Sequence, residues 1–308
     1  MFKFVEPNYK LTSDYAIISD PKKEIIPNDK DFKRQYYLDK TNVPGAWLFS
    51  IGSLSPVAVL DSGIDYSRLD ISGRVLPCEI VLDENFSCQD NFGHGTKVSS
   101  IIGSVSDNEL GLAGISWLNP ILPVKVSNIE GIATVSNVVE GLQKATNSGA
   151  RIVVISLSTN KKSEALRLGI KQAVGRGVLI VASGGNTGLE EIRYPAGYDD
   201  VIGVGSVGEN EKRSFFSNAG SHIKLVAPGE KIVTLFPGSN LVQEVYGTSF
   251  SAPQIAGIAA LVWAKKPELT NKEIAKLLYS SAKDLGKTGY DNEYGYGLVD
   301  ALEALEIR

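Results

Sequence analysis

Short, continuous runs of apolar and β-branched residues recur along the chain, with segments of helical periodicity between them. The runs are PVAVLDSG (56–63), PVKVSN (123–128), ARIVVISLS (150–158), GVLIVASGG (177–185), DVIGVGSVG (200–208), HIKLVAPG (222–229) and KIVTLF (231–236). They predict strands buried on both faces, hence parallel ones. TVSNVVEGLQKATNSGA (134–150) sets Val135, Val138, Val139, Leu142 and Ala145 on one helical face, between a Thr cap and Gly149. EALRLGIKQAVGRG (164–177) repeats that unit, and SAPQIAGIAALVWAKKP (251–267) is apolar enough to be a buried helix. TNKEIAKLLYSSAKDL (270–285) is amphipathic and opens with a Thr-x-x-Glu capping box. Strand–helix–strand alternation predicts a doubly wound, mostly parallel α/β sheet with its chemistry at the carboxyl ends of the strands. No linker or repeat follows residue 55, so one domain is expected over 46–308. Residues 1–45 are polar and unpatterned, and predict an extended arm that wraps the domain.

A net charge of −4 argues against a nucleic-acid binder. No stretch of 18 uninterrupted apolar residues predicts a membrane helix. The start, MFKFVEPNYKLTSDY, lacks the apolar segment of a signal peptide. With Met1 as the native start the expectation is cytoplasmic, and secretion is the alternative. Cys78 and Cys88, ten apart, are either a local disulfide in an oxidising compartment or two free thiols in a surface loop.

Four glycine-flanked segments fall where an open α/β sheet would put its site. Asp61 ends the strand in LDSGID, His94 lies in GHGTKVSS at the start of a helix, Asn186 follows a strand in SGGNTG, and Ser249 lies in YGTSFSAPQIAG just before the buried helix. Singly, each has a plainer reading as a turn or cap residue. Together they suit acyl transfer. A serine hydroxyl needs an adjacent base, and histidine titrates near working pH. A carboxylate on its far nitrogen fixes the tautomer. A helix N-terminus and an amide side chain can bind the oxyanion.

DSGID, GHGT, GGNTG and GTSFSAP resemble the four signatures of the subtilase family, in that family's Asp–His–Ser order. SFFSNAG (214–220), VAPG (226–229), YPAGYDDVIGVGSV (194–207) and YGYGLVDALEAL (294–305) extend the resemblance over residues 30 to 305. It implies a seven-stranded parallel sheet with helices on both faces, and serine endopeptidase activity through an acyl-enzyme. Asp61 would orient, His94 act as base then acid, Ser249 attack, and Asn186 bind the oxyanion. Lys97, Gln254 and Ser158 depart from the usual pattern, where histidine, histidine and glycine are common. The Ser158 departure bears on specificity.

The resemblance further implies a peptide substrate bound as an extended strand along Ser156, Leu157 and Ser158. Its pocket would be walled by Ala182, Ser183, Gly184 and Gly185 and by the loop 187–193. That loop holds Glu190 and Glu191. A carboxylate facing the pocket would favour a basic residue before the cut, and the alternative is that both face solvent beside Arg193. No cofactor is expected for catalysis. Asp70, with Asp107 and Asn108 of the loop 104–111, is the candidate for structural calcium, the alternative being a solvated polar loop. A monomer is expected, without nucleic-acid or membrane partners. Two same-fold readings stay open: a dedicated protease removing leader or pro-peptides, and an inactive peptide-binding pseudoprotease. A nucleotide-binding fold is disfavoured, because no G-x-G-x-x-G opens a helix and no P-loop occurs.

Overall fold

A computed structural model describes residues 24–82, 87–239 and 241–307. In chain order it contains a 3-10 turn (Phe32–Arg34), α1 (Tyr36–Lys40), α2 (Val43–Ala46), β1 (Val57–Asp61), α3 (Leu69–Ser72), β2 (Glu79–Ile80) and α4 (His94–Gly103). There follow β3 (Ile121–Lys125), α5 (Val135–Asn147), β4 (Ile152–Ile155), α6 (Glu164–Gly175), β5 (Leu179–Ser183), β6 (Val201–Val207) and β7 (Ile223–Pro228). The chain ends in β8 (Ile232–Leu235), β9 (Val242–Val245), α7 (Thr248–Lys265), α8 (Asn271–Ser280) and α9 (Ala301–Glu306).

The main sheet has seven strands in the order β2-β3-β1-β4-β5-β6-β7, every neighbouring pair parallel. It is doubly wound, as the sequence predicts. One face packs on α5 and α6 through Val138, Leu142, Leu166 and Ile170. The other packs on α4 and α7 through Val98, Ile101, Ile255 and Ile258. Helix α7 is buried from Thr248 to Trp263, in keeping with its apolar composition. The capping box at Thr270 forms, with Glu273 returning the bond.

Three expectations differ from the structure. The run 231–236 is not a strand of the main sheet: β8 pairs antiparallel with β9 in a separate hairpin. The seventh strand is β2, two half-buried residues on the sheet edge that carry no β-branched run. The expected extended arm is helical over Phe32–Ala46, where Tyr37, Leu38, Val43 and Ala46 are fully buried in the core. Its apolar residues sit in two turns too short to show a period. Residues 1–23 of that arm lie outside the described residues. Cys78 and Cys88 are disulfide-bonded, the first of the two alternatives.

Candidate active site

Strands β1, β4 and β5 are neighbours at the centre of the sheet. Their carboxyl ends bring Asp61, Ser156 and Asn186 to one edge, and the first turns of α4 and α7 deliver His94 and Ser249. Helix α7 begins at Thr248, so Ser249 lies in its first turn rather than ahead of it.

Asp61, 1% exposed, faces His94 with both carboxylate oxygens 2.9 Å from Nδ1. The Ser62 N–H donates to Asp61 Oδ1 at 2.8 Å and aims that carboxylate. Burial by itself would push the His94 imidazole down. The Asp61 charge and hydrogen bond outweigh this and hold it above its usual value. The tautomer follows, because a carboxylate can only accept: Nδ1 carries the proton and Nε2 is free as the base.

The start of α4 is anchored by groups outside the helix. The Gly95 N–H donates to Ser62 Oγ at 3.0 Å, and the Thr96 N–H donates to Asp90 Oδ2 at 2.8 Å. Asp90 also accepts from Gly93 N–H at 2.6 Å and from the Ser62 hydroxyl at 2.7 Å. Two otherwise orphaned helix N–H groups are thereby satisfied by the segments flanking Asp61 and His94. Lys125, 1% exposed, ties the same segments by donating to the carbonyls of Ser62 (2.8 Å) and Gln89 (2.7 Å).

Pro253 stands four residues after Ser249 and has no N–H for that residue's carbonyl. The carbonyl instead accepts from Ser156 Oγ at 3.0 Å, while Ser249 Oγ donates to Ser156 O at 3.3 Å. This pair locks the first turn of α7 to the edge of β4. Among the described residues no hydrogen bond joins Ser249 Oγ to His94, and the hydroxyl is held by the edge of β4 instead. The His94 ring lies against Phe250, centroids 5.5 Å apart. The Ser249 N–H has no acceptor among the described residues. Asn186 accepts at Oδ1 from the Thr248 N–H (2.9 Å) and hydroxyl (2.8 Å), and among the described residues its Nδ2 donors have no partner.

Leu157 is half-buried and Ser158 exposed on the free edge beyond β4. Beside them opens a cavity of about 390 Å³ lined by Ile132, Val135, Val138, Leu157, Leu166 and Tyr194. Ser183, Gly184 and Gly185 follow along β5 and its end. A Cβ on Gly185, whose φ is +111°, would lie 2.6 Å from Arg193 Cγ, so only glycine fits. Glu190 is exposed. Glu191 accepts from Arg193 Nη1 at 3.2 Å and from Asn160 Nδ2 at 3.3 Å, so it is paired with a cation rather than free.

Of the three candidate metal ligands, Asp70 and Asn108 meet, Asn108 Nδ2 donating to Asp70 Oδ1 at 3.1 Å. The Asp107 carboxylate turns away and accepts from Asn28 N–H at 3.2 Å. Its place near Asp70 is taken by Asp29, which nothing in the sequence singles out. Burial pushes the Asp70 carboxyl up to about 6, against bonds from the Leu112 N–H and Asn108, and the Asp29 charge adds to the rise. Asp29 Oδ1 is buried without a hydrogen-bond partner. The Asn108 amide turns its nitrogen to Asp70 while its oxygen accepts from the Leu110 N–H at 2.8 Å, so the hard oxygen donors here are the two buried carboxylates. Among the described residues no cluster of three or more His, Cys, Asp or Glu forms, so backbone carbonyls or water would complete the shell.

A model of the subtilase family matches residues 52–297. Subtilisin BL of Lederbergia lenta is 38% identical over 254 residues, spanning 82% of this chain and 91% of that protein. Thermitase of Thermoactinomyces vulgaris is 31% identical over 281 residues, 91% of this chain and 99% of that protein. A solved structure of a protease from Pseudoalteromonas arctica superposes with a TM-score of 0.85 at 26% identity, covering 91% of this chain and 98% of that one.

Proposed function

The chain belongs to the subtilase family and is a subtilisin-like serine endopeptidase, and from that premise we propose that Asp61, His94, Ser249 and Asn186 carry its reaction. The observation that carries this reading is the double contact of Asp61 on His94 Nδ1 at the mouth of two helix N-termini. Ser249 Oγ turns from Ser156 O, gives its proton to His94 Nε2 and attacks the scissile carbonyl. The oxyanion takes hydrogen bonds from Ser249 N–H and Asn186 Nδ2. His94 then protonates the leaving amine, and water attacks the acyl-enzyme by the same steps in reverse order. A test is trapping of a stable acyl-enzyme with a slow ester. A mass gain on Ser249 is expected, and gain on any other residue would overturn the assignment.

The substrate is proposed to lie as an extended strand along Ser156–Ser158, with an apolar side chain upstream of the cut filling the 390 Å³ cavity. At the pocket walled by Ser183–Gly185 the ion pair of Glu191 with Arg193 offers no net charge, so no strong preference for a basic residue is expected. Arg193→Ala frees the carboxylate. Cleavage after Arg relative to Leu is then expected to rise about tenfold in matched peptides. An unchanged ratio would mean that Glu191 does not face the pocket.

Asp29 and Asp70, joined by Asn108 once its amide turns over, are proposed to hold a structural calcium, which would neutralise two buried carboxylates and take no part in the chemistry. Calcium at about 100 times its Kd should add ~2.7 kcal/mol of stability, a Tm rise of roughly 4 °C for a chain of this size. Asp70→Asn should remove that rise. A Tm indifferent to both calcium and chelator would remove the proposal.

A further inference from the structure

His222 is the second of two histidines and has no part in the reaction above. It is 3% exposed, and its Nε2 lies 3.0 Å from the carbonyl oxygen of Gly184. A carbonyl only accepts, so Nε2 carries the proton. Burial also holds the ring below its usual range and therefore neutral, with that single N–H. The contact is built in. Gly184 lies one residue past β5, and among the described residues no backbone N–H reaches its carbonyl. Gly220, with φ +140°, makes room for the ring, since a Cβ there would stand 3.0 Å from Nδ1.

From that carbonyl an unbroken chain of donors leads to the oxyanion site. The N–H of the same peptide, on Gly185, donates to Thr248 Oγ1 at 3.2 Å, and the Thr248 hydroxyl donates to Asn186 Oδ1 at 2.8 Å. Each bond polarises the next, because an amide whose carbonyl accepts is a stronger donor at nitrogen. Asn186 is exposed, so the Thr248 hydroxyl and N–H, both on its Oδ1, rather than packing fix its amide. We propose that His222 is a positioning residue for the oxyanion donor, holding Asn186 in its productive orientation through the Gly184–Gly185 peptide and Thr248. This rests on the reading of Asn186 as that donor.

A double-mutant cycle in the full chain tests it, with a peptide anilide as substrate. His222→Phe keeps the ring and removes the donor. With Asn186 present, kcat should fall about tenfold, part of the roughly 10²–10³ a whole oxyanion donor supplies, with KM nearly unchanged. In the Asn186→Ala background the same change should move kcat by less than about twofold, since its target is gone. His222→Gln, whose amide can also donate to Gly184, should restore most of the loss. Equal loss in both backgrounds, or kcat within about twofold of wild type with Asn186 present, would reduce His222 to a structural bond. An Asn186→Ala enzyme with wild-type kcat would instead sink the underlying assignment. If the Phe variant does not fold, nitrogen-15 NMR of the wild type decides. The two imidazoles are separable by the His222→Gln variant, and a ring protonated at Nδ1 rather than Nε2 would overturn the proposal.

Discussion

Ser249→Ala is expected to lower kcat by about 10⁶ while leaving the fold intact, a magnitude carried over from subtilisin itself as a family expectation. The physical reason is local. The hydroxyl is the only atom lost, and its one hydrogen bond among the described residues, to Ser156 O, is long at 3.3 Å. The reciprocal bond from Ser156 Oγ to the Ser249 carbonyl does not involve that hydroxyl and keeps α7 docked on β4. The oxyanion donors remain, so a residual acceleration of about 10³–10⁴ over water should persist. Turnover of a peptide anilide, compared at matched Tm, checks this. A variant retaining more than about a hundredth of wild-type kcat would place the nucleophile elsewhere.

Asp61→Asn should cost about 10⁴ in kcat, again a value from serine-protease triads. An asparagine preserves the shape but can turn its amide toward Nδ1, and a donor there forces the proton onto Nε2. The base is then occupied. Asp61 is also what overcomes the downward push of burial on the imidazole. Activity requires neutral His94, so it falls as pH drops through the His94 pKa. Removing the charge lowers that pKa, so the acid limb of kcat/KM should move to lower pH in the Asn variant while its plateau falls. An acid limb that stays in place would show that Asp61 does not set the charge state of His94.

The path from sequence to site was short where chemistry coincides with backbone need. Asp61, His94, Asn186 and Ser249 sit at strand ends and helix starts framed by glycine, and those turns are visible as strings. The layer behind them is not. Asp90, Ser62 and Thr248 are ordinary turn and cap residues in the sequence, and their role depends on contacts between segments 28 to 62 residues apart. Gln254 carries no such ambiguity in the fold: buried, it donates to the carbonyls of Pro228 and Phe250 and belongs to the packing of α7. The pairing of Glu191 with Arg193 depends on rotamers, which a string of residues does not encode. Asp29 lies within a segment whose polarity reads as an arm, because its partners are distant in the chain: Asp70 in α3 and, 78 residues away, Asp107 on the loop after α4. Likewise β2 is too short to carry a pattern, and the run that became β8 has the composition of a sheet strand but lies past the last parallel crossover.

The measurement that bears most directly on the reaction assignment is the intact mass of the folded protein after treatment with a fluorophosphonate, with Ser249→Ala beside it. One adduct is expected on the wild type, located to Ser249, and none on the variant. No adduct on folded wild type, or equal labelling of both proteins, would contradict it.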